Sequence, residues 1–208
     1  MTGVAAEQSV RRHLSSRQLD TVERLLDAAV DEVTETGYEA FTVRGAARRA
    51  GVAPATAYTY FSSKAHLIAE VFALRLRTMP PTRLDRRRAP AERVAAVVRD
   101  VVGVVADRPQ LWEATTAALT ASQPDVLHVR ERVGADMIGR LVAALGEETD
   151  TSVLTSLTMM WAGAMLLVGT GHLPFEQLAD RVADATRLIV LGAHAEPANA
   201  IRGGGAGR

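Results

Sequence analysis

Residues 42–67 read TVRGAARRAGVAPATAYTYFSSKAHL, and the fold is decided in this stretch. Thr42 is a hydroxyl residue ahead of the run Val43 to Ala50, a good N-cap for a short helix. Ala46, Ala47 and Ala50 let that helix approach a neighbour closely. Gly51-Val52-Ala53 is a turn: Gly51 can take the left-handed backbone that reverses the chain, and Val52 can plug the angle between two helices. Pro54 suits the first position of the next helix, where its missing N–H would be unpaired in any case. That helix, Pro54 to Phe61, is too short to be stable alone and must be held by its neighbours, with Phe61 as anchor. Ser62 or Ser63 caps the helix that follows. The stretch therefore reads as two short helices across a tight turn and the capped start of a longer one.

It is also free of acids. No Asp or Glu occurs between Glu39 and Glu70, while Arg44, Arg48, Arg49 and Lys64 all lie inside. The 208-residue chain carries 24 basic and 24 acidic residues, a formal net charge of zero. It is not a polycation, so any nucleic-acid footprint must come from local segregation of charge. Such segregation recurs: residues 1–39 hold eight acids and four Arg, and residues 75–93 hold seven Arg against Asp85 and Glu92. There is no Cys, which excludes a disulfide framework and a thiolate metal site and is compatible with a reducing cytoplasm. Lys64 is the single Lys beside 23 Arg; with the Ala and Val richness, this points to a GC-rich bacterial genome.

Working outward, residues 1–14 read as a flexible arm with Arg11, Arg12 and His13, either a solvated tail or a groove-tracking arm. They hold no apolar core of signal-peptide length. Ser15 and Gln18 have capping-box spacing. Leu19, Val22, Leu25, Leu26, Ala29, Val30 and Val33 then form one apolar helix face, and Gly37 ends the helix. Past the head, the fourth helix runs to about Thr78. Pro80 to Pro90 is a loop by its prolines and charges; its Arg83, Arg86, Arg87 and Arg88 are either a solvated face or a source of long-range attraction to anions. Helical spacing returns over Ala91–Ala106, Pro109–Ala121, Pro124–Leu145, Thr151–Val168 and Pro174–Leu191, with Gly146 closing the third of these. Residues 196–208 are a flexible tail. The expectation is an all-α fold of about nine helices: a helix-turn-helix head over 15–62, then a helical domain over 63–195.

Thr151 to Gly171 is uncharged and approaches the length of a membrane span. Its first half repeats Thr and Ser, and no basic cluster flanks it. The expectation is a helix buried on nearly all sides in a soluble protein.

The stretch Thr42–Leu67 resembles the DNA-binding signature of the TetR family of bacterial transcription regulators. The resemblance is carried by Thr42, Ala46-Ala47, Ala50-Gly51-Val52, and Thr56-Ala57-Tyr58-Thr59-Tyr60-Phe61-Ser62-Ser63-Lys64 with Leu67 in place. It covers about residues 17–75 in detail. It implies a homodimer whose second domain binds a small molecule and thereby releases an operator.

On this reading the third helix enters a major groove. Pro54 and Ala55 allow close approach, and Thr56 can bond a base edge or phosphate. Tyr58 and Tyr60 carry hydroxyls toward phosphates, although Tyr60 beside Phe61 could be partly core. Thr42 leads the second helix. Thr59 stands where many relatives carry a larger polar residue. Arg44 is placed to read a guanine with two hydrogen bonds. Arg48 and Arg49 are either solvated charges or, for one of the two, a neighbour of a phosphate, and in the family arrangement Lys64 lies near a phosphate.

For the effector, Trp112, Met137, Met159, Trp161 and Met165 are adaptable apolar groups that suit either a pocket or a plain core. Thr115, Thr116 and His128 are the nearest polar groups to orient a ligand. The last two helices are expected to form the dimer interface, with Gly163, Ala164, Gly169, Ala179, Ala183 and Gly192 allowing close contact. The five His have no metal-ligand spacing, and His128 with Glu131 reads as ordinary helix-surface pairing. No enzyme, cofactor, metal or membrane role is expected. The reading is a cytoplasmic, ligand-responsive repressor binding a palindromic operator as a dimer and released by a hydrophobic effector. An activator or ligand-independent regulator is the alternative in the same class; a helical enzyme or carrier of hydrophobic metabolites is the alternative from another.

Overall fold

The computed structural model describes residues 15–105, 108–146 and 149–195, and over these the chain is helical, with no strand. Among the described residues nine helices occur in order: α1 (Ser16–Ala40), α2 (Val43–Arg49), α3 (Pro54–Tyr60), α4 (Lys64–Thr78), α5 (Pro90–Gly103), α6 (Pro109–Leu119), α7 (Pro124–Leu145), α8 (Thr151–Gly169) and α9 (Phe175–Ala195). The all-α expectation of a three-helix head, a connecting helix and five more holds. The arm 1–14 and the tail 196–208 lie outside the described residues, as do Ala106 and Asp107.

Helix ends fall where local chemistry puts them. Ser15 and Gln18 form the expected capping box at α1, each side chain satisfying a backbone N–H of the other. Gly37 sits at φ 73°, so α1 breaks there before its last few residues. Thr42 Oγ1 accepts from the Gly45 N–H at 2.9 Å. Gly51 takes φ 65° in the turn, and Ser63, not Ser62, caps α4 by accepting from the His66 N–H at 3.0 Å. The third helix of the second half, α7, ends at Gly146 with φ 118°.

The chain packs as two compact units. The first comprises the described residues of Met1–Pro80 and Gly103–Met137, the second Pro81–Val102 and those of Ile138–Arg208. Packing therefore does not divide the chain at residues 62 and 63, because α4, α6 and the first part of α7 pack with the head. In this unit α1 lies against α2, α4 and α6, and α6 lies against α4. The core holds Leu25, Val33, Phe41, Leu67, Ile68, Leu76, Leu111 and Trp112, all almost completely buried. The seven-residue α3 has no side-chain N-cap. It is held by burial of Val52, Ala57 and Phe61 on one side, as its length requires.

In the second unit α8 packs on α9. Arg93 of α5 donates Nε to the Ala144 carbonyl at 2.6 Å and Nη1 to the Arg88 carbonyl at 2.7 Å, tying the C-terminal end of α7 to the basic loop. The expectation of a nearly all-round buried α8 is not met among the described residues of one chain. Only Val153, Leu157 and Ala164 of α8 are buried. Met159 is 70% exposed and Leu166 58%, and on α9 Leu188 is 74% exposed. Uncharged sequence alone does not say which face of a helix has a neighbour. By length and composition α8 could span a membrane, with mean hydropathy 1.6.

Candidate nucleic-acid interface

The sequence puts Thr42, Arg44 and Arg48 on α2 or at its cap, and Pro54 to Tyr60 on α3, which packs against α2. The inward residues Val43, Ala46, Ala47, Val52, Ala57 and Phe61 fall at helical spacing, so the remaining side chains turn outward. Thr42, Arg44, Arg48, Pro54, Ala55, Thr56 and Thr59 are exposed, and Tyr58 is 50% exposed. Tyr60 is half-buried, its ring 6.5 Å from that of Phe61. The Thr59 hydroxyl donates to the Thr56 carbonyl at 2.6 Å, so it is turned back on its own helix.

The four cations of the stretch divide in two. Arg44 and Arg48 are exposed, and no hydrogen bond or ion pair is recorded for either among the described residues. Arg49 is held by two carboxylates of α1: its Nε lies 3.1 Å from Glu32 and its guanidinium also hydrogen-bonds Glu35, which raises its pKa further. Of the two neighbours, Arg48 is therefore the one open to a phosphate. Lys64 is half-buried and donates Nζ to the backbone carbonyls of Tyr38 at 2.9 Å and Glu39 at 3.2 Å. It also stands 4.5 Å from the centre of the Tyr38 ring, within reach of a cation–π contact. Burial and the neighbouring Glu39 push the Tyr38 hydroxyl above its usual pKa. Lys64 thus closes the end of α1 onto the start of α4.

Gly45 marks the close approach of α2 to α1. A Cβ there would meet the Glu32 carboxylate, the same one that holds Arg49, and would lie 3.2 Å from Thr42 Oγ1.

Behind α3 lies a polar group that the sequence reading did not single out. His66 Nδ1 is 3.3 Å from the Ser62 N–H and 3.3 Å from Ser62 Oγ. Its Nε2 is 3.6 Å from Glu70 Oε1, which also accepts from Arg132 Nη2 at 2.7 Å. Burial pushes the Glu70 carboxyl up, but the His66 hydrogen bond and Arg132 together outweigh it and hold the group below its usual value. The four-residue spacing of His66 and Glu70 is visible in sequence; Arg132, 62 residues further on, is not.

The eight residues named for an effector do not share one environment. Trp112 and Thr115 are 2% and 3% exposed on α6, and the Thr115 hydroxyl is buried without a hydrogen-bond partner. Thr116 is half-buried, and Met137 on α7 is 9% exposed. The His128 side chain is 79% exposed beside Glu131. On α8, in the other unit, Met159 is exposed while Trp161 and Met165 are half-buried. A cleft of about 270 Å³ lies elsewhere in the first unit, with Leu26, Val30, Val71 and Leu74 as its apolar lining and Asp27, Asp31, Arg75 and Arg108 as its charged one. Arg108 pairs with Asp31 at 3.3 Å across it. It falls just below the usual range for small-molecule sites, about 300–1,000 Å³. No group of three or more potential metal ligands occurs among the described residues.

A family profile described as "Bacterial regulatory proteins, tetR family" matches residues 25–71, the segment from the middle of α1 into α4. Uncharacterized HTH-type transcriptional regulators of Mycobacterium tuberculosis and Mycobacterium bovis are each 41% identical to this chain over 180 residues, covering 86% of it and 84% of the relative. The HTH-type transcriptional repressor KstR of Rhodococcus jostii is 31% identical over 142 residues, 65% of this chain and 64% of that one. Among solved structures, a TetR transcriptional regulator from Rhodococcus sp. RHA1 superposes with a TM-score of 0.71 at 24% identity, covering 85% of this chain and 98% of that one. That likeness is one of fold.

Proposed function

The chain belongs to the tetR family of bacterial regulatory proteins and is a helix-turn-helix transcription regulator, and from this premise we propose that it is a dimeric repressor released by a hydrophobic effector. The observation that carries the DNA-reading part is the outer face of α2 and α3. It presents Arg44, Arg48, Thr56 and Tyr58 to solvent from a buried seam, in a segment with no acid between Glu39 and Glu70. Arg44 can read a guanine edge, and Thr56 and Tyr58 can bond bases or phosphates. Thr42, Pro54, Ala55, Thr59 and Tyr60 complete the contact surface, with Lys64 buttressing it from behind.

Two exposed guanidinium groups per head give only modest, salt-sensitive binding. Two heads about one helical turn apart, roughly 34–36 Å, would enter successive major grooves of a palindrome. The apolar face formed by Met159, Leu166, Leu167, Leu188 and Leu191, left exposed among the described residues, supports pairing through α8 and α9. A second copy suits this face better than lipid does, because α9 also carries Glu176, Asp180, Arg181, Asp184 and Arg187, which a bilayer would strongly disfavour. Ala164 and Ala183 are already buried within one chain, so the close contacts between copies fall to Gly163, Gly169, Ala179 and Gly192. Such a protein works in the cytoplasm.

The repressor sign is supported by the KstR relative, itself called a repressor. The effector is a hydrophobic molecule such as a lipid-derived acyl or polycyclic compound, taken up in the first unit around Trp112, Thr115, Thr116 and Met137. Of these, Thr115 offers a buried hydroxyl still in need of a partner. A ligand that binds better to a state with wider or narrower head spacing shifts the population away from DNA. Mass spectrometry of small molecules that co-purify with the protein, followed by their addition to a protein–DNA complex, tests this. A bound hydrophobic compound that dissociates the complex supports the reading, and one that strengthens it makes the protein a co-repressed regulator instead.

A further inference from the structure

Resting on that reading, we propose that Arg132 is a positioning residue for DNA reading: through Glu70 and His66 it fixes the C-terminal end of the recognition helix α3. The path is continuous. Arg132 Nη2 donates to Glu70 Oε1 at 2.7 Å, and His66 Nε2 faces the same oxygen at 3.6 Å. The other ring nitrogen, Nδ1, accepts from the N–H of Ser62 at 3.3 Å. The ring also meets Phe61 edge-on, 5.7 Å between centroids. Phe61 is the C-cap of α3, and its own N–H closes that helix on the Ala57 carbonyl at 2.9 Å.

The chemistry of the donors sets the direction of this path. A backbone N–H can only donate, so Nδ1 holds a lone pair, and the proton of the neutral ring is on Nε2. From there it points to Glu70, whose charge selects this tautomer. Arg132 donates to the same carboxylate oxygen and fixes where it stands. Whatever shifts Arg132 changes what Glu70 offers His66, and so how firmly His66 holds Ser62. The side chains of His66, Glu70 and Arg132 are 15%, 22% and 32% exposed, so the contacts are less screened than an open surface pair. Arg132 lies on α7, a helix of 22 residues. A displacement of α7 reaches Glu70 without passing through any loop.

A plain structural ion pair would stabilise the fold and do nothing else, and the test separates the two. His66→Asn keeps an acceptor near the Ser62 N–H but is too short to reach Glu70. In the full-length protein, operator affinity is measured by fluorescence anisotropy for wild type, Arg132→Met, His66→Asn and the double variant, alongside a scrambled duplex. Arg132→Met is expected to weaken operator binding roughly two- to thirtyfold, the range for such couplings, with scrambled-duplex binding unchanged. In the His66→Asn background the same change has no further effect. Additive losses, or an Arg132→Met protein that binds the operator like wild type, overturn the proposal. Histidine ¹⁵N spectra give a second readout independent of DNA: the Nε2-protonated pattern of His66 is sharp in wild type and lost in Arg132→Met and in the milder Arg132→Lys. A His66 tautomer indifferent to residue 132 also overturns it. Wild-type protein that binds no duplex at all sinks the regulator reading itself, an outcome distinct from the others.

Discussion

Two of the four cations in the Thr42–Leu67 stretch are spent inside the fold, and this changes what each is expected to do in solution. Lys64, placed near a phosphate by family resemblance, donates to two carbonyls at the end of α1. Lys64→Ala should therefore lower stability by about 1–2 kcal/mol, roughly 3–6 °C in Tm at this chain length. A salt-titrated binding assay beside the melt checks the assignment: a lost phosphate contact at unchanged Tm would return Lys64 to the DNA surface. Arg44 has no such tie. Arg44→Ala should cost about 1–3 kcal/mol of discrimination at one base pair in a competition assay with base-substituted operators, whereas uniform weakening on every sequence would make it a phosphate contact. Glu70 gives a pH signature. Its folded pKa is held below its ordinary 4.5, so it stabilises above that value and the contribution is lost as pH falls through the folded pKa. Wild-type Tm should fall more steeply below pH 4.5 than that of Glu70→Gln. Parallel curves would show that the carboxylate is not stabilised in the fold.

At the scale of elements, most of the architecture was legible because helix ends are local events. Ser15, Thr42 and Ser63 cap because a hydroxyl stands before a run that can be helical, and Gly37, Gly51 and Gly146 turn because only glycine adopts φ of 65–118° at low cost. The short α3 was legible for the opposite reason: seven residues cannot hold themselves, so Phe61 had to be an anchor, and it is 3% exposed. What local pattern could not supply was the identity of distant partners. Nothing within α2 says that Arg49 meets Glu32 and Glu35 while Arg48 does not, and nothing within α4 says that Glu70 meets Arg132. The α8 reading failed for the same reason, since an uncharged helix can be covered by its own chain or by another. Gly45 is an element-scale device: Gly45→Ala should push the Glu32 carboxylate off Arg49 and crowd the Thr42 cap. The expected loss is about 1–3 kcal/mol, typical of overpacking. A melt unchanged from wild type would show that Glu32 swings away freely.

At the scale of the whole molecule, reading a palindrome takes two copies. The exposed charges of one head are few, and the apolar face of α8 and α9 has no covering among the described residues. Leu188, 74% exposed, is the position where a charge should do most damage to pairing and least to the monomer. Leu188→Asp should shift the mass in light scattering from about twice 22.2 kDa toward 22.2 kDa and abolish operator binding while leaving helicity intact. A variant that stays dimeric would place the interface elsewhere. The central claim, that α2 and α3 of a paired molecule read a palindrome, is tested most directly by titrating the wild-type protein onto the DNA flanking its own gene at several salt concentrations. Saturable, salt-sensitive binding of two chains per palindrome is expected, with protection in two major-groove segments one helical turn apart. Binding that ignores sequence, or none at any nearby palindrome, would contradict it.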